Sequence, residues 1–252
     1  MLRVKACRVF ADRQAGETAF RHLLHFLVGK LDAEIDDQDE EETRRTCYLD
    51  TLAFDLQRAG FTLRVRFEEA QDEFKISLKH RAPDRYLAAS QDVTSRKQKD
   101  DELKFEEDIL PPFRSIFSRS NSLWFKKLPE LRKFGDAVTL FPGLKPFASQ
   151  KTKLARVNDL EAHEIFRKLC RIQIGEKQKQ RLSVGLSYWY NAPGDIWPLV
   201  AECAFDCSTK KGDDFPLRVV EGANRLFRAL QQQPGWINLG ATTKTAYAYE
   251  NL

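Results

Sequence analysis

The chain has 252 residues, of which 42% are hydrophobic and 31% charged, a make-up that fits a folded globular protein and excludes a disordered one. Its formal net charge of +4 is too small for a general nucleic-acid coat, so an anion site has to be a local cluster. No apolar run approaches the roughly 18 residues of a membrane span, and charges interrupt the apolar core that a secretory leader needs at the amino end, so no membrane role and a cytoplasmic location are expected.

Taken in chain order, residues 2–10 alternate as a first strand, and 17–30 form an amphipathic helix with Phe20, Leu23, Leu24, Leu27 and Val28 as its apolar stripe. The acidic run 32–42 reads as a solvated loop; it lacks the glycine and ligand spacing of a calcium loop. Strand character returns at 46–50, a short helix spans 52–59, and a hairpin spans 61–81. Residues 84–102 are loop-like. The segment 103–110 fits either a strand or a helix and ends at Pro111-Pro112. Residues 112–134 read as mostly helical, and a loop follows around Pro142, Gly143 and Pro146. Three strands are expected at 164–175, 180–190 and 197–209, a helix at 215–233, and a short tail element at 244–249. Cys7, Cys47, Cys170, Cys203 and Cys207 have no paired spacing and suit a reducing compartment. With no repeat and no linker, the expectation is a single domain, 1–252, of the α+β class on a curved antiparallel sheet.

The hairpin is the most informative segment. Phe61, Leu63, Val65 and Phe67 alternate with Thr62, Arg64, Arg66 and Glu68; Phe74, Ile76 and Leu78 alternate with Glu73, Lys75, Ser77 and Lys79. Successive strand side chains point to opposite faces, so a turn at Ala70-Gln71 places Arg66 opposite Lys75 and Arg64 opposite Ser77. A one-residue slip would set the arginines against apolar side chains, which pins the register. Like charges facing across strands cost about 0.2–1 kcal/mol per pair. An ordinary solvated sheet face accounts for one such hairpin; an anion site requires the pattern to recur.

The later strands are expected to repeat it. Phe166, Cys170, Ile172 and Ile174 leave Arg167, Arg171 and Gln173 opposite, with Lys168 and Leu169 breaking the alternation. Leu182, Val184, Leu186, Tyr188 and Tyr190 leave Arg181, Ser183, Gly185 and Ser187 opposite; Leu199, Ala201, Cys203, Phe205 and Cys207 leave Glu202, Ala204 and Asp206. With helices covering the apolar faces, closure of the sheet turns the polar faces inward. Unpaired charge cannot line a dry core, so such an interior is wet or holds an anion. Phosphate is the natural occupant, since Arg binds its oxygens bidentately and Lys supplies point charges.

The block Tyr48-Leu49-Asp50-Thr51, Leu56-Gln57-Arg58-Ala59-Gly60 and Leu63-Arg64-Val65-Arg66 resembles the "Y-F-D-T … L … G … L-R-x-R" block of the CYTH superfamily, the triphosphate tunnel metalloenzymes. Ile76-Ser77-Leu78-Lys79 is similar to its "L-x-L-K" strand, Glu202 to its late glutamate strand, and Thr243-Lys244 to its "S-K" element. The resemblance implies a closed or nearly closed antiparallel barrel of about eight strands, surrounded by helices. It also implies hydrolysis of inorganic triphosphate or a nucleotide, or cyclisation of ATP, with Mg²⁺ or Mn²⁺. On that basis Arg64, Arg66, Lys75, Lys79, Arg167, Arg171, Arg181 and Lys244 bind the triphosphate, and Glu202 is catalytic. The family's first-strand E-x-E-x-K is replaced here by Arg3-Val4-Lys5-Ala6-Cys7. Hard divalent ions need oxygen ligands, which leaves Glu202, Asp206 and Glu106, with Glu102, as the carboxylates for a metal.

Two functions follow from the cationic face: a triphosphatase, or a phosphate- or nucleotide-binding module without activity. Single-stranded RNA is disfavoured because the charged face lacks a set of aromatic platforms, with Trp189 as one candidate. His22 and His25 have metal-compatible spacing but no partner ligands in sequence; Trp124, Trp197 and Trp236 read as packing anchors, and Asp50 and Thr51 as turn caps.

Overall fold

The computed structural model describes residues 12–31, 33–96, 103–174, 181–207, 215–240 and 243–250. The strand expected at 2–10, and Glu102, lie outside these residues. Eight strands form one antiparallel sheet: β1 (Ala33–Thr51), β2 (Phe61–Glu68), β3 (Glu73–Ala82), β4 (Lys104–Leu110), β5 (Arg114–Phe125), β6 (Leu154–Ile174), β7 (Arg181–Tyr190) and β8 (Val200–Asp206), in the order β4-β5-β3-β2-β1-β6-β7-β8. The helices are α1 (Arg13–Val28), α2 (Asp55–Arg58), α3 (Arg85–Ser90), α4 (Phe134–Leu140), α5 (Leu217–Gln231) and α6 (Lys244–Glu250). The α+β class holds. Closure does not: β4 and β8 end the order, and among the described residues no ladder joins them. No described helix is long and apolar enough to cross a membrane.

Contacts divide the chain into two compact units, Met1–Glu42 with Glu164–Thr242, and Thr43–His163 with Thr243–Leu252. The seams fall within β1 and β6.

In the first unit, α1 begins at Asp12, whose side chain accepts from the Ala15 amide. Its buried Phe20, Leu24, Leu27 and Val28 pack with Cys170, Ile172, Leu182, Val184, Leu186 and Tyr188 of the strands and with Val219, Leu226 and Leu230 of α5. The acidic run proves to be strand, not loop, because cations from other elements answer its carboxylates. Asp37 lies 3.0 Å from both Arg21 and His25. Glu41 lies 2.8 Å from Arg13, and Lys168 contacts Glu40 and Glu42.

β6 changes face part-way along. A Cβ on Gly185, which faces away from the helices, would sit 2.8 Å from the Phe166 ring, whereas Arg167 bonds to Glu17 of α1. Cys170, Ile172 and Ile174 are again on the helix side. The alternation therefore reverses between Arg167 and Cys170, with Leu169 also in the helix-side core, as a one-residue bulge requires. Phe166 does not share a face with Cys170 as the simple pattern had it, and Arg167 lies on the helix-covered side.

In the second unit, Leu63, Val65, Ile76, Leu78 and Leu123 pack with Phe134, Ala137, Val138 and Phe141, with Leu56 and Phe61 beside them. Gly60, at φ +77°, turns the chain from α2 into β2 against His80, whose Nε2 would lie 2.8 Å from an added Cβ. A side chain is strained at that φ, which suits glycine. Residues 114–125, expected to be helical, are strand β5, paired on one side with β3 and on the other with β4.

Candidate functional site: a cationic sheet face in the second unit

Directly opposed residues of an antiparallel ladder share a face, so the register assembles the site row by row. Thr46, Arg66, Lys75 and Trp124 form one row, and Tyr48, Arg64, Ser77 and Ser122 the next. Thr62, Lys79, Ser120 and Lys104 follow, then Arg81, Ser118 and Glu106. Rows on one face lie about 7 Å apart, two residues of strand rise. The hairpin register is the expected one, with Arg66 opposite Lys75 and Arg64 opposite Ser77.

The cations Arg44, Arg64, Arg66, Lys75, Lys79, Arg81 and Lys104 outnumber the carboxylates Asp50, Glu68, Glu73, Glu106 and Asp108 on this face. Glu68 holds one end: its carboxylate is 2.8 Å from Arg44 Nε and 3.5 Å from Arg66 Nη1. At the other end Lys79 Nζ donates to Glu106 at 2.9 Å, and Asp108 lies 3.7 Å from both Lys79 and Arg81. Between them Ser77 and Ser122 hydroxyls meet at 2.9 Å, and Lys75 Nζ sits 4.5 Å from the Trp124 ring centre. Arg81 also donates to Thr245 of α6 at 3.4 Å, one residue beyond Lys244.

Burial lowers the Lys79 pKa, and the neighbouring Arg81 lowers it further; Asp108 and Glu106 counter both without cancelling them. For Glu106, burial acts to raise the carboxyl, but attraction and hydrogen bonding from Lys79 outweigh it and hold it below its ordinary value. Asp50 is a structural group: buried, it accepts from the amides of Thr51, Leu56 and Gln57 and from Tyr249 Oη, the capping role its position implied.

The remaining sequence-derived site residues belong to the first unit. Arg167 donates to Glu17, Glu41 and Asp39. Arg171 is exposed, and Arg181 lies 3.8 Å from Asp36. Glu202 faces Ser187 across the β7–β8 ladder and Asp206 faces Ser183, while buried Glu164 accepts from Ser187. The face away from the helices is therefore rich in carboxylates in this unit, not lined with arginine. Among the described residues no group of three or more His, Cys, Asp or Glu is placed to hold a metal. Lys79 holds Glu106 by a charged hydrogen bond, and Asp108 lies beside two cations. In the second unit, then, both Glu106 and Asp108 already have cationic partners.

Arg44, Arg81, Lys104 and Trp124 were missed in sequence. The period-two series Ser118, Ser120, Ser122, Trp124 was the signal that could have found β5 and, with it, the indole. Trp189, the expected aromatic candidate, is buried at 1% exposure.

No family model matches the chain, and no curated protein matches it. Among solved structures it is similar to a candidate adenylyl cyclase from Hippeastrum described as having a dominant triphosphatase activity. The TM-score is 0.45 and the identity 13%, over 93% of this chain and 91% of that one. It is also similar to a candidate adenylate cyclase from Bacillus halodurans, with a TM-score of 0.31 and 14% identity over 72% of this chain and 81% of that one.

Proposed function

We propose that the cationic face of the second unit binds a triphosphate-bearing anion, inorganic triphosphate or a nucleotide. The observation that carries this reading is the succession of Arg66 with Lys75, Arg64, Lys79 and Arg81 in consecutive rows of one face. The long Arg and Lys side chains of neighbouring rows can converge on linked phosphates, and charge-assisted bonds to phosphate oxygens are the strongest such a surface can make. The Ser77–Ser122 hydroxyl pair supplies a neutral donor between them, and Thr245, next to Lys244 in the chain, bonds to Arg81. A phosphate that takes the Lys79 ammonium releases Glu106. The freed carboxylate is then the group on this face best placed to orient water for phosphoryl transfer, with the cations stabilising charge on the transferred oxygens. Binding needs no metal in this reading, because the cations already supply the positive charge.

Calorimetric titration with tripolyphosphate in EDTA and again in Mg²⁺, alongside a phosphate-release assay, tests it. Binding is expected in EDTA, weakening as salt rises. Arg64→Ala and Lys79→Ala are each expected to lower affinity about tenfold, the loss of one charge-assisted bond. Unchanged affinity in both variants would remove the proposal, and release of phosphate would decide for the enzyme over the binding module.

A further inference from the structure

Within the cationic face, Trp124 is the ring that packing does not account for. Tyr48 lies on the same face, but its ring is 6.3 Å from that of Tyr249 and its hydroxyl meets Thr245 at 3.2 Å. The Trp124 indole is partly exposed, and its one ring contact among the described residues is the Lys75 ammonium at 4.5 Å. Trp124 and Lys75 are directly opposed, in the row that also holds Arg66, beside the row of Arg64. An aromatic face is thus set in the end row of that line of cations, one strand over from Lys75.

We propose that Trp124 is a nucleobase platform and that the anion taken by this face is a nucleoside triphosphate in preference to inorganic triphosphate; this rests on the phosphate-binding reading above. Every base has a π-face, so stacking on an indole accepts a base without hydrogen-bond readout. The Lys75 ammonium, held over the ring by cation–π attraction, has a stronger partner once phosphate arrives. Its transfer to a phosphate oxygen clears the ring for the base, so the two halves of the ligand are recognised in one exchange. Inorganic triphosphate would use only the first half.

The test is calorimetry in EDTA with ATP and with tripolyphosphate, on the unaltered protein, Trp124→Ala and Trp124→Phe, with thermal melts confirming that each is folded. Trp124→Ala is expected to weaken ATP binding about tenfold, the size of a lost base–aromatic stack, with tripolyphosphate affinity held within about twofold. Trp124→Phe keeps a π-face and is expected to retain most of the ATP affinity, a rescue that a packing role restored by bulk alone would extend equally to tripolyphosphate. Equal losses for the two anions, or no loss for either, overturn the platform while leaving phosphate binding standing. Failure of both anions to bind the unaltered protein overturns the phosphate-binding reading and the platform together.

Discussion

Lys79 combines two pressures that oppose each other in a measurable way. Its ammonium is held at 20% side-chain exposure between Arg81 on one side and Glu106 and Asp108 on the other. Burial and Arg81 favour losing the proton, so its folded-state pKa lies below its unfolded value. Between those two values the unfolded chain binds the extra proton, and the stability contributed by this group rises with pH. Anion binding runs the other way, because it needs the charged form. Tripolyphosphate affinity should therefore begin to fall at a pH below the ordinary lysine range of about 10.4, while the melting temperature does not fall with it through this group. In Lys79→Arg the guanidinium stays protonated, and the fall should be abolished. An affinity that is flat up to the ordinary lysine range in the unaltered protein would show that Lys79 does not bear on the anion. The Glu106 carboxyl behaves as its counterpart. Its folded pKa is depressed, so its contribution to stability is present above the unfolded value and lost as pH falls through the folded one.

At the level of elements, the parts legible in the sequence were those whose partners lie close along the chain. The hairpin register came from alternation alone, because Arg64 and Arg66 on the wrong face would have met apolar side chains. The strand character of 33–42 was hidden because Asp37, Glu41 and Asp39 find their cations on α1 and, in the case of Arg167 and Asp39, 128 residues away. A carboxylate run carries no mark of a distant counter-charge. The face change in β6 left a trace, the misplaced pair Lys168-Leu169, but only the position of Phe166 against Gly185 shows which way it resolves. That contact gives a test of the element. A methyl at Gly185 would stand 2.8 Å from Phe166 Cε2 and 2.9 Å from Cζ, with a buried strand on either side. Gly185→Ala should destabilise by about 1–3 kcal/mol, the usual cost of overpacking, read as a lower denaturation midpoint with an unchanged slope. Phe166→Ala in the same chain should recover part of the loss, because it removes the clash. A Gly185→Ala variant as stable as the parent would mean that Phe166 lies elsewhere.

For the molecule as a whole, the cations that looked equivalent in the sequence fall into two different settings. Those of the second unit occupy one sheet face on which positive charge is in excess. Those of the first unit, Arg13, Arg21, Arg167 and Lys168, are matched to the acidic half of β1 and to Glu17. Arg167 is the decisive case, since sequence alternation sets it on the polar face and the resemblance assigns it to the triphosphate. In the structure its guanidinium is 3.2 Å from Glu17 Oε2 and 3.3 Å from Glu41 Oε2, at 16% side-chain exposure. Burial raises the Glu17 carboxyl pKa even with Arg167 and Arg13 lowering it, so the charge there is tolerated only because of its partners. Arg167→Ala should then cost about 3 kcal/mol, the lower end of what removing one member of a buried pair costs by stranding the other. It should leave tripolyphosphate affinity within about twofold, a change of less than about 0.5 kcal/mol. Adding Glu17→Gln removes the stranded charge, and the double variant should regain part of the lost stability. Chemical denaturation of the three variants beside a titration of each separates the tasks: a tenfold loss of affinity in Arg167→Ala with unchanged stability would return Arg167 to the anion and undo the division of labour.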